Sequence, residues 1–116
     1  MILGIGSDLA DIRRIENSLE RFNERFTNRI FTEIERQRSE RKADRAASYA
    51  KRFAAKEAVW KAVGEPRLLH RDIQVRNRPN GKPEVGFPKR FARLARRVSI
   101  SLSHGVEYAV AMAIFK

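Results

Sequence analysis

The feature that most constrains this chain is a long helical segment, roughly residues 43–63. Ala46, Tyr49, Ala50, Phe53 and Ala54 recur there at spacings of three and four, which places them on one stripe of a helix. Gly64 and Pro66 supply a stop. An apolar stripe of this kind has to be buried against other elements, so the rest of the chain must provide its cover.

The flanking sequence divides into a helical part and a β-rich part. Residues 2–7 are apolar and glycine-punctuated and read as a strand. From Asp8 the spacing turns helical, with Leu9, Ile12, Ile15 and Leu19 on one face. Arg13, Arg14, Arg21 and Arg25 project elsewhere. Phe22, Phe26, Ile30 and Phe31 extend the stripe past a break near Asn23. Thr32 and Glu35 have the spacing of a capping box, which predicts a charged helix through about Glu40. After the long helix, Asp72–Val75 leads into Pro79-Asn80-Gly81-Lys82-Pro83, a hairpin signal because Asn and Gly both accept positive φ. Residues 88–97 predict a basic helix with Phe91, Leu94 and Ala95 inward. Val98, Ile100 and Leu102 alternate as in a half-buried strand, His104-Gly105 turns the chain, and Tyr108–Phe115 returns as a strand. The expected class is α+β, with an N-terminal strand and helices packed on antiparallel β-hairpins in one domain, residues 1–116.

Charge narrows the partners. Lys and Arg number 25 against 14 Asp and Glu, a net +11, so an acidic partner is expected: nucleic acid, an anionic membrane, an acidic protein or a phosphorylated cofactor. The absence of cysteine excludes disulfides and thiolate metal sites. No run is long and apolar enough to span a bilayer, and MILGIG lacks the basic start of a signal peptide, so a cytoplasmic protein is expected.

The stretch GIGSDLADI, residues 4–12, invites three readings. A dinucleotide fingerprint needs a third glycine where Leu9 stands, which excludes it. Asp8 can cap a helix. It can also ligate a metal, since Gly4, Gly6 and Asp8 share one strand face and the bare backbone there allows close approach. On the long helix, Tyr49, Phe53, Glu57 and Lys61 form one row at i, i+4. Glu57 and Lys61 are then either an ordinary surface pair or a carboxylate and an ammonium awaiting ionic ligands. Two carboxylates with waters and a phosphate suit Mg²⁺. His104 reads as a turn residue, His70 carries no motif, and Trp60 and Tyr108 read as core or subunit contacts. Lys82, on the Asn80–Pro83 turn, is placed to reach a phosphate.

Taken together, GIGSDLADIRRIE, RFAAKEAVWKA, NGKPEV and SISLSHGVEYAVA resemble the small bacterial holo-[acyl-carrier-protein] synthases, which are 4′-phosphopantetheinyl transferases. The resemblance covers nearly the whole chain in the family's order. It implies a trimer with active sites at subunit interfaces. It also implies transfer of phosphopantetheine from coenzyme A to a serine of acyl carrier protein, with release of adenosine 3′,5′-bisphosphate, in fatty acid biosynthesis. By the same resemblance Asp8 and Glu57 are Mg²⁺ ligands, and Glu57, Lys61 and His104 are catalytic. Arg52, Lys61, Asn80, Gly81, Lys82, Pro83 and His104 would contact coenzyme A. Arg13, Arg14, Arg21 and Arg25 would dock the acidic carrier. The segment Gly64–Leu69 departs from the family's glycine-rich pattern, which bears on the shape of the coenzyme A pocket. The rival class is a basic nucleic-acid-binding module, but neither an RRM nor a KH signature is present.

Overall fold

The structure is a computed structural model that describes residues 1–116. In chain order it comprises β1 (Gly4–Asp11), α1 (Ile12–Phe22), α2 (Glu24–Ile30), α3 (Glu33–Glu40), α4 (Arg45–Val63), β2 (Gln74–Asn77), β3 (Pro83–Gly86), β4 (Val98–His104) and β5 (Tyr108–Phe115). The class is α+β, as expected. One antiparallel sheet has the order β1-β5-β4, and β2 and β3 form a second, two-stranded sheet. No helix is long and apolar enough to cross a membrane.

The long helix sits where the sequence placed it. Asp44 caps α4 by accepting from the Ala47 amide at 3.0 Å, and Gly64 ends it in the left-handed region at φ +70°. The capping box is formed as well: Thr32 Oγ1 accepts from the Glu35 amide while Glu35 Oε1 accepts from the Thr32 amide. The break at Asn23 is a residue at φ +43° between α1 and α2.

The opening differs from expectation. The strand runs on through Asp8 to Asp11, because β1 pairs with β5 along its whole length, Gly4 opposite Phe115 and Asp11 opposite Tyr108. Leu9 therefore faces outward from the sheet instead of joining the stripe of Ile12, Ile15 and Leu19, which is buried. The cap of α1 is Asp11, which accepts from the Arg13 amide at 2.9 Å; Asp8 caps nothing. Residues 88–97 also depart from the expected helix. They form a 3₁₀ segment, Lys89–Leu94, interrupted at Phe91, and Ala95 is exposed while Phe91 and Leu94 are buried. In the β2–β3 turn only Gly81 has positive φ, at +89°. Pro79 and Asn80 precede it, the order of a type I turn closed by a glycine bulge.

Helix α4 lies on the inner face of the larger sheet, whose wall consists of Ala10, Ile100, Ala109, Ala111 and Ala113. The glycines of β1 allow the approach. A Cβ on Gly6 would stand 1.9 Å from the Ala58 carbonyl oxygen, and one on Gly4 the same distance from that of Ala62. Both obstacles are helix backbone, which cannot rotate away. Gly6→Ala is therefore expected to push β1 off α4 and cost about 3 kcal/mol, read as a lowered urea midpoint. The clearance read from the sequence is thus taken by a helix.

Candidate active site

Strand β1 and helix α4 bring the first two predicted functional groups together. Asp8, mid-strand on the α4 side of the sheet, accepts from Lys61 Nζ at 3.1 Å. The same ammonium lies 3.3 Å from the Ser7 carbonyl. Glu57 is one helical turn before Lys61 and shares its face of α4. The row Tyr49, Phe53, Glu57, Lys61 passes from full burial at Tyr49, through partly buried Phe53 and Glu57, to solvent at Lys61. Both carboxylates are shielded yet reachable, their side chains 17% exposed at Asp8 and 26% at Glu57.

Glu57 has a neighbour that its sequence did not announce. His70 Nε2 lies 3.2 Å from Glu57 Oε1. The ring is stacked on Phe53, centroids 6.1 Å apart and planes within 7°. The contact is not a formed hydrogen bond, and Nε2 has no other hydrogen-bond partner.

Beneath this surface lies a buried ion pair that no sequence motif marks. Lys56 and Glu35 side chains are both fully buried, with Nζ 2.7 Å from Oε1. The Lys56 ammonium also donates to the His70 carbonyl at 2.9 Å and to the Ile73 carbonyl. Glu35 Oε2 accepts from the Val75 amide at 2.7 Å. Burial pushes the Lys56 ammonium below its ordinary value, and the Glu35 carboxylate pulls the other way. This network ties α3, α4 and the start of β2 to the turn that carries His70.

The remaining predicted residues lie elsewhere. Arg52 is an interior residue: its Nη1 donates to Ser48 Oγ at 2.6 Å and Ser39 Oγ at 3.2 Å, and burial lowers its pKa. It does not line an open surface. His104 ends β4 on the sheet face that Asp8 occupies, is exposed, and makes no hydrogen bond or ion pair with Asp8, Glu57 or Lys61. Asn80, Gly81, Lys82 and Pro83 form the tip of the second sheet, where Asn80 Oδ1 accepts from the Lys82 amide. The Gly64–Leu69 loop is tied down by Glu65, which accepts from the Arg67 amide and side chain and from Arg93. Hydrogen bonds from Arg67, first its amide, hold the Glu65 carboxyl below the usual range.

Arg13, Arg14, Arg21 and Arg25 are all exposed on α1 and α2. Arg21 and Arg25 flank the exposed Phe22 ring at 5.7 and 5.9 Å. A second apolar surface covers the outer face of the larger sheet, where Leu3, Ile5, Leu9, Val110 and Met112 are exposed. Trp60 and Tyr108 are exposed too, so neither is a core residue.

Comparison with known proteins gives this arrangement its relatives. The family model described as the 4′-phosphopantetheinyl transferase superfamily matches residues 4–113. A holo-[acyl-carrier-protein] synthase of Paramagnetospirillum magneticum is 49% identical over 98% of this chain and 94% of its own. The crystal structure of the synthase from Neisseria meningitidis superposes with a TM-score of 0.91 at 31% identity, covering 100% of this chain and 99% of that one. The Bacillus anthracis synthase, solved in complex with CoA (3′,5′-ADP), superposes at 0.84 with 38% identity, covering 99% and 96%. With nearly every residue accounted for in both sequence and fold, the chain belongs to the 4′-phosphopantetheinyl transferase superfamily and, within it, to the holo-[acyl-carrier-protein] synthases.

Proposed function

We propose that this protein transfers the 4′-phosphopantetheine group from coenzyme A to a serine of apo acyl carrier protein and releases adenosine 3′,5′-bisphosphate. The observation that carries the reading is the Asp8–Lys61 contact beside Glu57: two carboxylates and an ammonium on a firmly packed strand and helix. The coenzyme A complex of the Bacillus anthracis relative supports the donor.

The donor set fits Mg²⁺. No cluster of three or more His, Asp or Glu side chains is available, so waters and phosphate oxygens would complete the coordination, the habit of this cation. Asp8 and Glu57 would hold the ion. When bound, it neutralises charge on the donor's pyrophosphate. Lys61 then offsets the negative charge that grows on the departing nucleotide phosphate. The serine oxygen forms a bond to the phosphorus that bears the pantetheine arm, the bond from that phosphorus to the nucleotide's oxygen breaks, and the hydroxyl proton is released. Positioning and charge do most of the work in such a transfer.

The exposed arginines Arg13 and Arg14 at the start of α1, with Arg21 and Arg25 beside Phe22, form the surface for the acidic carrier protein, which gives the net charge of +11 a partner. His104, Lys82 and the Asn80–Pro83 turn are placed at edges of the molecule where a neighbouring copy would bring them to a donor phosphate. The outer apolar sheet face is the surface for that assembly, a homotrimer with interfacial sites. Ile5→Glu is expected to reduce the particle to a monomer by light scattering. A monomeric parent protein would contradict the assembly.

The product identifies the reaction. Chromatography should detect one adenosine 3′,5′-bisphosphate per carrier modified, with release stopped by chelator and restored by Mg²⁺. Release that continues through chelation would remove the metal from the account. A second reading, nucleic-acid binding, rests on charge alone and no site in the structure favours it.

A further inference from the structure

We infer that His70 is a positioning residue for Glu57, holding its carboxylate in the orientation that metal binding requires. This rests on the proposal that Asp8 and Glu57 hold Mg²⁺. Three contacts aim the imidazole. Phe53 stacks on its face, its own carbonyl is anchored by the buried Lys56 ammonium, and the 3₁₀ turn His70–Asp72 is closed by Asp72 accepting from the Leu69 amide at 2.9 Å. The ring is thereby fixed with Nε2 3.2 Å from Glu57 Oε1.

That nitrogen is buried and has no formed hydrogen bond, an unusual state for a polar atom among packed side chains. Glu57 Oε1, 3.2 Å away, is close enough to satisfy it through a small rotation of the carboxylate or the ring. Hydrogen bonds of catalytic groups are often long or misaligned before ligands arrive and tighten afterwards. With Oε1 engaged by His70, Oε2 is left free for the metal. Carboxylates that ligate metals are commonly held by such outer partners. Stacking alone would be met by any flat ring at position 70. The nitrogen beside Oε1 is what singles out histidine.

Two substitutions separate donor from stack. His70→Phe keeps a ring against Phe53 and removes the donor; His70→Gln keeps an N–H donor and removes the ring. The probe is Mn²⁺, a paramagnetic substitute for Mg²⁺, titrated into the full-length protein with coenzyme A present and followed by electron paramagnetic resonance of the free ion. The Mn²⁺ dissociation constant is expected to rise about tenfold in His70→Phe and to stay within about threefold of the parent in His70→Gln. Melting curves for both variants report whether the fold is retained. Unchanged Mn²⁺ affinity in His70→Phe, or the reverse order with Gln weakened and Phe unaffected, would overturn the inference. Glu57→Gln is the companion control. If Glu57→Gln weakens Mn²⁺ and His70→Phe does not, His70 alone is misassigned. If the parent binds no Mn²⁺, or Glu57→Gln leaves binding unchanged, the metal reading falls and this inference with it.

Discussion

Asp8→Asn is expected to lose about two to four orders of magnitude in kcat/KM for carrier modification while folding as stably as the parent. The activity term follows from losing a charged metal ligand, worth several kcal/mol in the transition state at about 1.4 kcal/mol per decade. The stability term follows from where Asp8 sits. It is a strand residue paired with Ala111 and caps no helix, so the roughly 1 kcal/mol typical of a lost cap does not apply. Its one ionic partner, Lys61, is half-exposed, and such pairs contribute only about 0–1 kcal/mol. Initial rates of carrier modification, taken with urea titrations, check both halves. Activity within tenfold of the parent would contradict the role of Asp8. So would a loss of rate that merely follows a loss of folded protein.

Lys56→Met is expected to do the opposite, destabilising the whole fold by about 3–5 kcal/mol, because it leaves the Glu35 carboxylate buried and uncompensated. In many proteins, replacing both members of a buried pair by apolar residues recovers the loss. Here it should not. Glu35 also accepts from the Thr32 and Val75 amides, and Lys56 donates to the His70 and Ile73 carbonyls. The Val75 amide and the Ile73 carbonyl stay buried after the double change, and the other two partly so, at about 1–3 kcal/mol for each buried group left unpaired. Lys56→Met combined with Glu35→Leu is therefore expected to be no more stable than Lys56→Met alone. Urea midpoints of the parent, single and double variants decide it. A single variant within 1 kcal/mol of the parent would contradict the account, as would recovery in the double.

Local signals in the sequence were reliable where the structure they specify is itself local. The Thr32–Glu35 box, the Gly64 stop and the break at Asn23 each involve residues a few positions apart, and each formed. The opening departs from the expected helix for a physical reason. Leu9, Ile12, Ile15 and Leu19 fit a helical period, but Ile5, Ser7 and Leu9 equally fit a strand, and the deciding partner is β5 at the far end of the chain. The expected helix at 88–97 failed because its polar period matched while Phe91 leaves helical geometry.

The site was legible to the extent that its chemistry lies on short motifs. Asp8 meets Lys61, whereas the resemblance pairs Asp8 with Glu57, whose contact in the fold is His70. Arg52 shows the limit. It stands in the same motif, RFAAKEA, but the helix turns it into the interior, where two serines hold it. Lys56 and Glu35 were invisible because a charged residue in sequence looks like a surface residue until its partner is known. They are separated by the rest of α3, the connection after it and the first half of α4. His70 carried no motif at all. Its place is set by a stack on Phe53 and by the Lys56 anchor, both of which exist only in the folded chain.

The measurement that bears most directly on the central claim is the intact mass of an apo acyl carrier protein after incubation with this protein, coenzyme A and Mg²⁺. The parent protein is expected to add one phosphopantetheine to the carrier's serine, and Asp8→Asn or Glu57→Gln to add none in the same interval. A carrier whose mass is unchanged by the parent under Mg²⁺ or Mn²⁺, or one modified equally well by the two variants, would contradict it.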